Sequence, residues 1–393
     1  MAKTGIKIQI SDSVLGAPVD VNATSMLLTT DLFATGGESS VVKGRSVADF
    51  KSTINDPSDL LEAITTYFNP SPLINLEGNL LWAATLDDMD SDTICNVVRS
   101  TVQDSFDDRP RQLVFLARGG SEPYGGATKG TVTEIQSAIS QLASEGIRVV
   151  AVVCTLFNAG GTGSVPTAIV DADDVTTWDA PFVAVCPMSA TSGELIDGGV
   201  YVAATLATQS VGVSIGDGGL AAIQTPSFLA ASDDLQMMIS DDVRTLSLAQ
   251  VNMLGEKGYL FTRTRPPRAG LWWNDGATCN NPANALSTLE AARTICALAD
   301  DLQSFFVPYI NTRVPVTSTG DIQSTYKQVV LDNARAAVVQ KYIESGDISD
   351  ARIKLVAKNN DMIGTRTWEV TLSILPAPTL RWIDGYVFYV KSL

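Results

Sequence analysis

The chain contains no histidine, and that absence removes the commonest general base, the commonest zinc ligand and every Ser-His or Cys-His nucleophile pair. Serine, cysteine, lysine and the carboxylates remain. Gly212-Val-Ser214-Ile-Gly216 has the spacing of a nucleophile elbow, the sharp strand-to-helix turn that lifts a serine toward a histidine base. With no histidine to take the proton, it reads as a glycine-rich turn. Gly160-Gly-Thr-Gly163 follows an apolar strand, where a phosphate loop could sit. A Rossmann turn would need another glycine where Pro166 stands, and a P-loop would need Gly-Lys-Ser/Thr in register. Gly125-Gly-Ala-Thr-Lys129 misses that spacing as well.

Among the carboxylates, Asp88-Met-Asp90-Ser-Asp92 is spaced like a calcium loop. The sixth position of such a loop is glycine and the twelfth glutamate, and here they are Thr93 and Arg99. The run reads instead as a helix start, with Asp92 as N-cap and its neighbours at the positive end of the helix dipole. Asp171, Asp173 and Asp174, and Asp233, Asp234, Asp241 and Asp242, read as solvated loop and helix-start charges. Cys95, Cys154, Cys186, Cys279 and Cys296 are odd in number and form no C-x-x-C pair. Apolar neighbours at Cys154 and Cys186 predict buried, reduced thiols. No catalytic residue, metal site or cofactor is expected.

Composition narrows the partners. Of 393 residues, 45% are apolar and 18% charged, the profile of a soluble globular protein with material for two domains, or one domain with an insertion. The net charge of −16 repels phosphate backbones and anionic lipid, so neither nucleic acid nor a membrane surface is an expected partner. The most apolar strip, residues 147–157, is too short to span a bilayer and contains Arg148. Met-Ala-Lys-Thr-Gly leads into alternating Ile6, Ile8 and Ile10 rather than a signal-peptide core. Assembly in the cytoplasm is expected, unless a larger machine carries the protein out.

Between residues 79 and 187, short apolar runs (80–86, 112–117, 147–157, 182–187) alternate with helical periods (93–105, 131–143). This is the β-α-β-α-β rhythm of a buried, mostly parallel sheet. In the second helix Val132, Ile135, Ile139 and Leu142 recur at helical spacing, and Gly146 follows as a left-handed cap. Residues 159–180 read as a loop and 200–210 as a helix. Beyond Leu254 the character changes. A capping box, Ser287-Thr-Leu-Glu290, opens a long helix with Leu289, Ala292, Cys296, Ala299 and Leu302 inward, and Pro308 ends it. A second long helix spans 322–344, with Tyr326, Val330, Ala334 and Ala337 on one stripe and Gly346 beyond its end. Strands 351–357 and 368–374 alternate apolar and polar residues and are joined by a turn at Lys358-Asn-Asn-Asp361.

Both ends of the chain are β-prone. Ile6, Ile8 and Ile10 form a short strand followed by an arm through residue 22. At the other end residues 380–390, which include Trp382, read as a strand that beyond Gly385 is apolar on both faces through Tyr386, Val387, Phe388, Tyr389 and Val390. An uncovered strand of that kind is an aggregation hazard unless something pairs its edge. These nine residues are therefore the expected subunit interface, through strands donated between copies. The alternative is that both strands extend the subunit's own sheet.

The run Gly258-Tyr-Leu-Phe-Thr-Arg-Thr-Arg-Pro-Pro-Arg-Ala-Gly-Leu-Trp-Trp-Asn-Asp275, then a helix from Ser287, a Phe306-Val-Pro-Tyr309 exit, a second helix and paired strands, resembles the tail sheath proteins of contractile phages and related injection systems. The resemblance covers roughly 246–393 and is only architectural over 79–187. It implies an α/β (α+β) fold: a mostly parallel sheet flanked by helices, a C-terminal helix-helix-strand core, and extended N- and C-terminal strand arms. The implied division is a linking arm (1–22), an α/β sheath domain (23–250), a C-terminal core (251–379) and a linking strand (380–393). It further implies hexameric rings stacked into a helical tube around an inner tube protein, with baseplate and tail terminator or cap proteins at the ends. Contraction would be a rigid-body rearrangement with the arms as hinges. The chain is short for a phage sheath, leaving little room for outer decorating domains. Two other readings stay open. One is an α/β enzyme or small-anion-binding protein with its site at strand ends near 117–124 or 158–164. The other is a different self-assembling shell subunit.

Overall fold

A computed structural model describes residues 24–29, 41–51, 54, 59–69, 76–102, 108–116, 127–154, 172–187, 189–191, 195–216, 248–265 and 268–377. Its centre is a six-stranded sheet of order β2-β3-β1-β4-β5-β6, built from β1 (Ser25–Thr29), β2 (Val41–Gly44), β3 (Leu81–Thr85), β4 (Gln112–Phe115), β5 (Val150–Cys154) and β6 (Val183–Cys186). All neighbours are parallel except β2, which runs antiparallel to β3 at the edge. The sequence rhythm located β3 to β6. It missed β1, which lies between β3 and β4, with Leu27 opposite both Ala83 and Val114.

Strands buried on both faces need cover on both faces. Met26, Leu28, Trp82, Leu113 and Phe115 point to one side, where α3 (Ser91–Val102) and α4 (Lys129–Ser144) present Ile94, Val98, Val132 and Ile135. Leu27, Ala83 and Val114 point to the other, where α1 (Val47–Lys51), α2 (Asp59–Phe68) and α5 (Gly198–Thr208) present Phe50, Ile64, Tyr67, Val200 and Ala203. Helix α5 sits so close that a Cβ on Gly199 would lie 2.4 Å from Cys154 Sγ. Thr128 caps α4 by accepting from Thr131 N–H, and Gly146 (φ +90°) ends it as expected. At α3 the cap is Asp90, not Asp92. Its carboxylate accepts from the N–H groups of Asp92 and Thr93 and from the Thr93 hydroxyl. Asp92 lies in the first turn, on the positive end of the dipole.

A small hairpin, β7 (Ser189–Thr191) with β8 (Leu195–Asp197), precedes α5. After α6 (Leu248–Glu256) the chain returns to the sheet edge. Leu260 N–H donates to Val185 O at 2.9 Å, and Cys279 N–H to Val183 O at 2.7 Å. Between these contacts lies the antiparallel pair β9 (Thr262–Arg265) and β10 (Arg268–Trp273).

Helix α7 (Leu289–Phe306) has Leu289, Ala292, Ala299 and Leu302 buried, as its spacing predicts. Its cap is Thr288, which accepts from Ala291 N–H. The Ser287 hydroxyl donates to Pro282 O instead, so the anticipated Ser287–Glu290 box does not form.

The second long helix is α8 (Ser324–Ala334), a π segment (Arg335–Val339) and α9 (Gln340–Glu344). In a regular α-helix an i+4 row drifts about 40° per step, so a straight stripe must soon step back by one residue, here to Ala337. The π turn underwinds the helix and removes that need. Ala337 is exposed, and the stripe continues through Val338, Val339 and Tyr342.

Strands β11 (Ile348–Ala357) and β12 (Trp368–Pro376) form an antiparallel pair that places Ala351, Ile353 and Leu355 opposite Ile374, Leu372 and Val370. Their link is longer than a tight turn: a 3₁₀ turn (Lys358–Asn360) and the short helix α10 (Met362–Thr365), capped by Asp361.

Candidate functional site

The residues that spacing marked for chemistry are placed structurally. Ser214 is buried, and its hydroxyl oxygen accepts from Gly216 N–H at 3.3 Å, so the elbow-like motif is a turn held by its own serine. All five cysteines are reduced and buried. Burial pushes the Cys296 thiol up to about 12 and raises Cys279 and Cys95 as well, so none is a ready thiolate. Among the described residues no cluster of His, Cys, Asp or Glu could hold a metal ion. Gly160–Gly163 and the loops at 117–124 and 158–164 lie outside the described residues.

The strongest polar constellation was not anticipated. Asp300, on α7, receives Arg148 at 2.7 Å and also Arg109, while Arg111 approaches to 3.8 Å. Arg109 and Arg111 precede β4, and Arg148 precedes β5. One buried carboxylate thus ties the amino ends of two central strands to the C-terminal helices. Gln303 Oε1 accepts from Arg148 at 2.9 Å. Two turns back along α7 from Asp300, Arg293 donates to the carbonyls of Leu206 (2.7 Å) and Gln209 (3.2 Å) at the end of α5. Burial draws Arg293 down to about 10, with Glu290 and Asp347 opposing the fall. Two signals pointed here: Arg148 is the only charge in an apolar strip, and Asp300 is four residues beyond the inward Cys296.

In the segment 258–275, the described side chains at its two ends serve packing. Asn274 accepts from Phe261 N–H (2.9 Å) and donates to Tyr259 O (2.9 Å), so its side chain completes the ladder where the chain joins β6. Gly258 adopts φ +84°, and Trp273 is buried. Phe306, Tyr309, Tyr326 and Trp368 form an aromatic cluster that seats α7 and α8 on β12.

The surfaces suited to assembly lie at the C-terminal end. Sheet β11–β12 has two strands, and among the described residues neither pairs with a third. Its inner face packs on α8 and α9, and its outer face exposes Arg352, Lys354, Glu369, Thr371 and Ser373. Ile363 and Leu375 are exposed large apolar side chains in and beside it. The expected interface residues Ile6, Ile8, Ile10, Trp382, Tyr386, Val387, Phe388, Tyr389 and Val390 lie outside the described residues. No described helix is long and apolar enough to cross a membrane.

No protein-family model matches the sequence, and no curated protein matches it. Solved structures do match. A chain of the cryo-EM structure of the anti-feeding prophage (AFP) baseplate, 6-fold symmetrised, aligns with TM-score 0.62 at 11% identity, covering 99% of this chain and 99% of that one. A chain of the AFP helical sheath in contracted state aligns with TM-score 0.59 at 13% identity over 100% of both. A fold shared from end to end at such identity is a likeness of packing, in keeping with a segment 258–275 whose glycine, asparagine and aromatics serve packing. From end to end, the chain has the fold of these chains of the AFP baseplate and of the AFP contracted helical sheath.

Proposed function

We propose that the chain is a structural, non-enzymatic subunit of a contractile tail sheath. Copies assemble in the cytoplasm as stacked hexameric rings around an inner tube, with baseplate and terminator proteins at the ends, and contraction drives the tube through a target envelope. The observation that carries this reading is the alignment over the whole of both chains with a contracted helical sheath. In this proposal 1–22 and 380–393 are linking segments around an α/β domain (23–250) and a C-terminal core (251–379). Strands at Ile6–Ile10 and Tyr386–Val390 are donated to neighbouring subunits. The edges of β11–β12, which pair with no third strand among the described residues, are suited to receive them, since backbone N–H and C=O groups at a sheet edge are a template for another strand.

Negative-stain microscopy of purified protein tests the proposal, which expects hollow, ridged cylinders. Monodisperse particles at every concentration would count against it. The likeness to a chain of the AFP baseplate structure favours a second reading, a sheath-fold subunit restricted to the baseplate end of the particle. That reading expects isolated rings rather than cylinders.

A further inference from the structure

A cavity of about 110 Å³ lies at the amino ends of β4 and β5, against α7 and α9, lined by Arg111, Gln112, Arg148, Arg293, Asp300 and Asp301 among others. Enzymes with open α/β sheets bind ligands at the opposite, carboxyl ends of the strands, so the cavity is distinct from the strand-end loops. Three of its lining residues carry a buried polar atom without a hydrogen-bond partner: Arg148 Nε, Arg293 Nη1 and Gln112 Oε1. The orientation of the Gln112 amide is set by its Nε2, which donates to Ala203 O at 3.0 Å. Its oxygen is therefore a buried acceptor that needs a donor.

Unsatisfied buried polar atoms are costly, and three in one wall call for an occupant. Its chemistry can be read from the wall. Arg148 and Arg293 are donors and ask for acceptor oxygens. Gln112 Oε1 asks for a hydroxyl hydrogen. Three guanidiniums face two carboxylates, and both carboxylates are engaged: Asp300 by Arg109 and Arg148, Asp301 by Lys341 at 2.6 Å and the Tyr342 hydroxyl. Arg293 gives one nitrogen to carbonyls and has the carboxylates of Glu290 and Asp347 near it, and its Nη1 is the donor left for an incoming oxygen. The volume suits a tetrahedral oxyanion or several waters and excludes a nucleotide.

We propose that this cavity binds one protonated tetrahedral oxyanion of the inorganic phosphate class, held by Arg148, Arg293 and Arg111 and donating its hydroxyl to Gln112. The carboxylates in the wall disfavour sulfate, which has no proton to offer near neutral pH. The bound anion bridges the α/β sheet and the C-terminal helices, so it stabilises the subunit itself and does not depend on the assembly reading.

The test is titration of the purified chain with inorganic phosphate at fixed ionic strength, followed by isothermal calorimetry and thermal unfolding, with sulfate in parallel. Saturable binding of one phosphate per chain with a rise in Tm is expected, and sulfate should bind at least tenfold more weakly. Arg293→Gln should abolish binding. Arg111→Gln alters a partly exposed residue, so its fold should be retained while its phosphate affinity falls about tenfold or more. No saturable phosphate binding to the folded wild-type chain would overturn the proposal, because water alone would then fill the cavity. Equal binding of sulfate, or unchanged affinity in folded Arg111→Gln, would overturn it as well.

Discussion

Arg148 Nη1 and Asp300 Oδ1 meet at 2.7 Å across 152 residues of sequence, both side chains buried. The pair joins the amino end of β5 to the middle of α7, and Arg109 closes on the same carboxylate from the start of β4. In the proposed contractile sheath, a subunit that moves as one body would use a joint of this kind between its sheet and its C-terminal helices.

Removing the carboxylate leaves buried guanidiniums facing one another. Asp300→Ala should therefore destabilise the subunit by about 3–5 kcal/mol, the range for breaking a buried ion pair by deleting one partner. Urea unfolding followed by tryptophan fluorescence measures this. A loss below about 1 kcal/mol, the range of exposed pairs, would mean that water solvates the cluster.

The π segment makes a prediction about register. Ala337→Ser, at an exposed position, should change stability by less than about 0.5 kcal/mol, whereas Val338→Ala, in the core, should cost about 1–3 kcal/mol. The reverse order would restore the regular stripe through Ala337.

Asp90 supplies a pH test. Hydrogen bonds from the Thr93 side chain and backbone hold its carboxyl below the ordinary 3.8. A depressed folded value means that the stability it contributes is present above the unfolded value and lost as pH falls through the folded one. The stability difference between wild type and Asp90→Ala should be constant near neutral pH and shrink below pH 3.8. Equilibrium unfolding at several pH values checks this, and a difference independent of pH down to 2 would exclude the ionised cap.

The arms supply the assembly test. Each large side chain buried by a donated strand contributes roughly 1.5–3 kcal/mol, enough to hold a joint after the entropy of ordering the arm is subtracted. Deletion of 1–22 or of 385–393 should leave a folded core, with near-ultraviolet circular dichroism like that of the intact chain, that no longer forms cylinders. Cylinders of normal length from either truncated protein would transfer the role to contacts between core domains.

Where hydrophobic period was strong, the sequence was legible. Strands β3 to β6 and helices α4 and α7 follow from alternation and 3.6-residue spacing alone. Strand β1 was not legible, because Ser-Met-Leu-Leu-Thr is too short to separate from a buried helical turn without its neighbours. Caps moved by one or two residues, from Asp92 to Asp90 and from Ser287 to Thr288, since several adjacent side chains could serve and local geometry chose among them. The π turn left no trace in an alanine- and valine-rich stretch. The arginine cluster around Asp300 joins residues more than 150 apart, a relation that spacing cannot encode.

Cryo-EM reconstruction of particles formed by the purified chain tests the central claim most directly. The account predicts a helical tube of six-membered rings in which Ile6–Ile10 and Tyr386–Val390 of adjacent subunits lie along the edges of β11 and β12. A protein that stays monomeric at every concentration, or a lattice without six-fold rings, would contradict it.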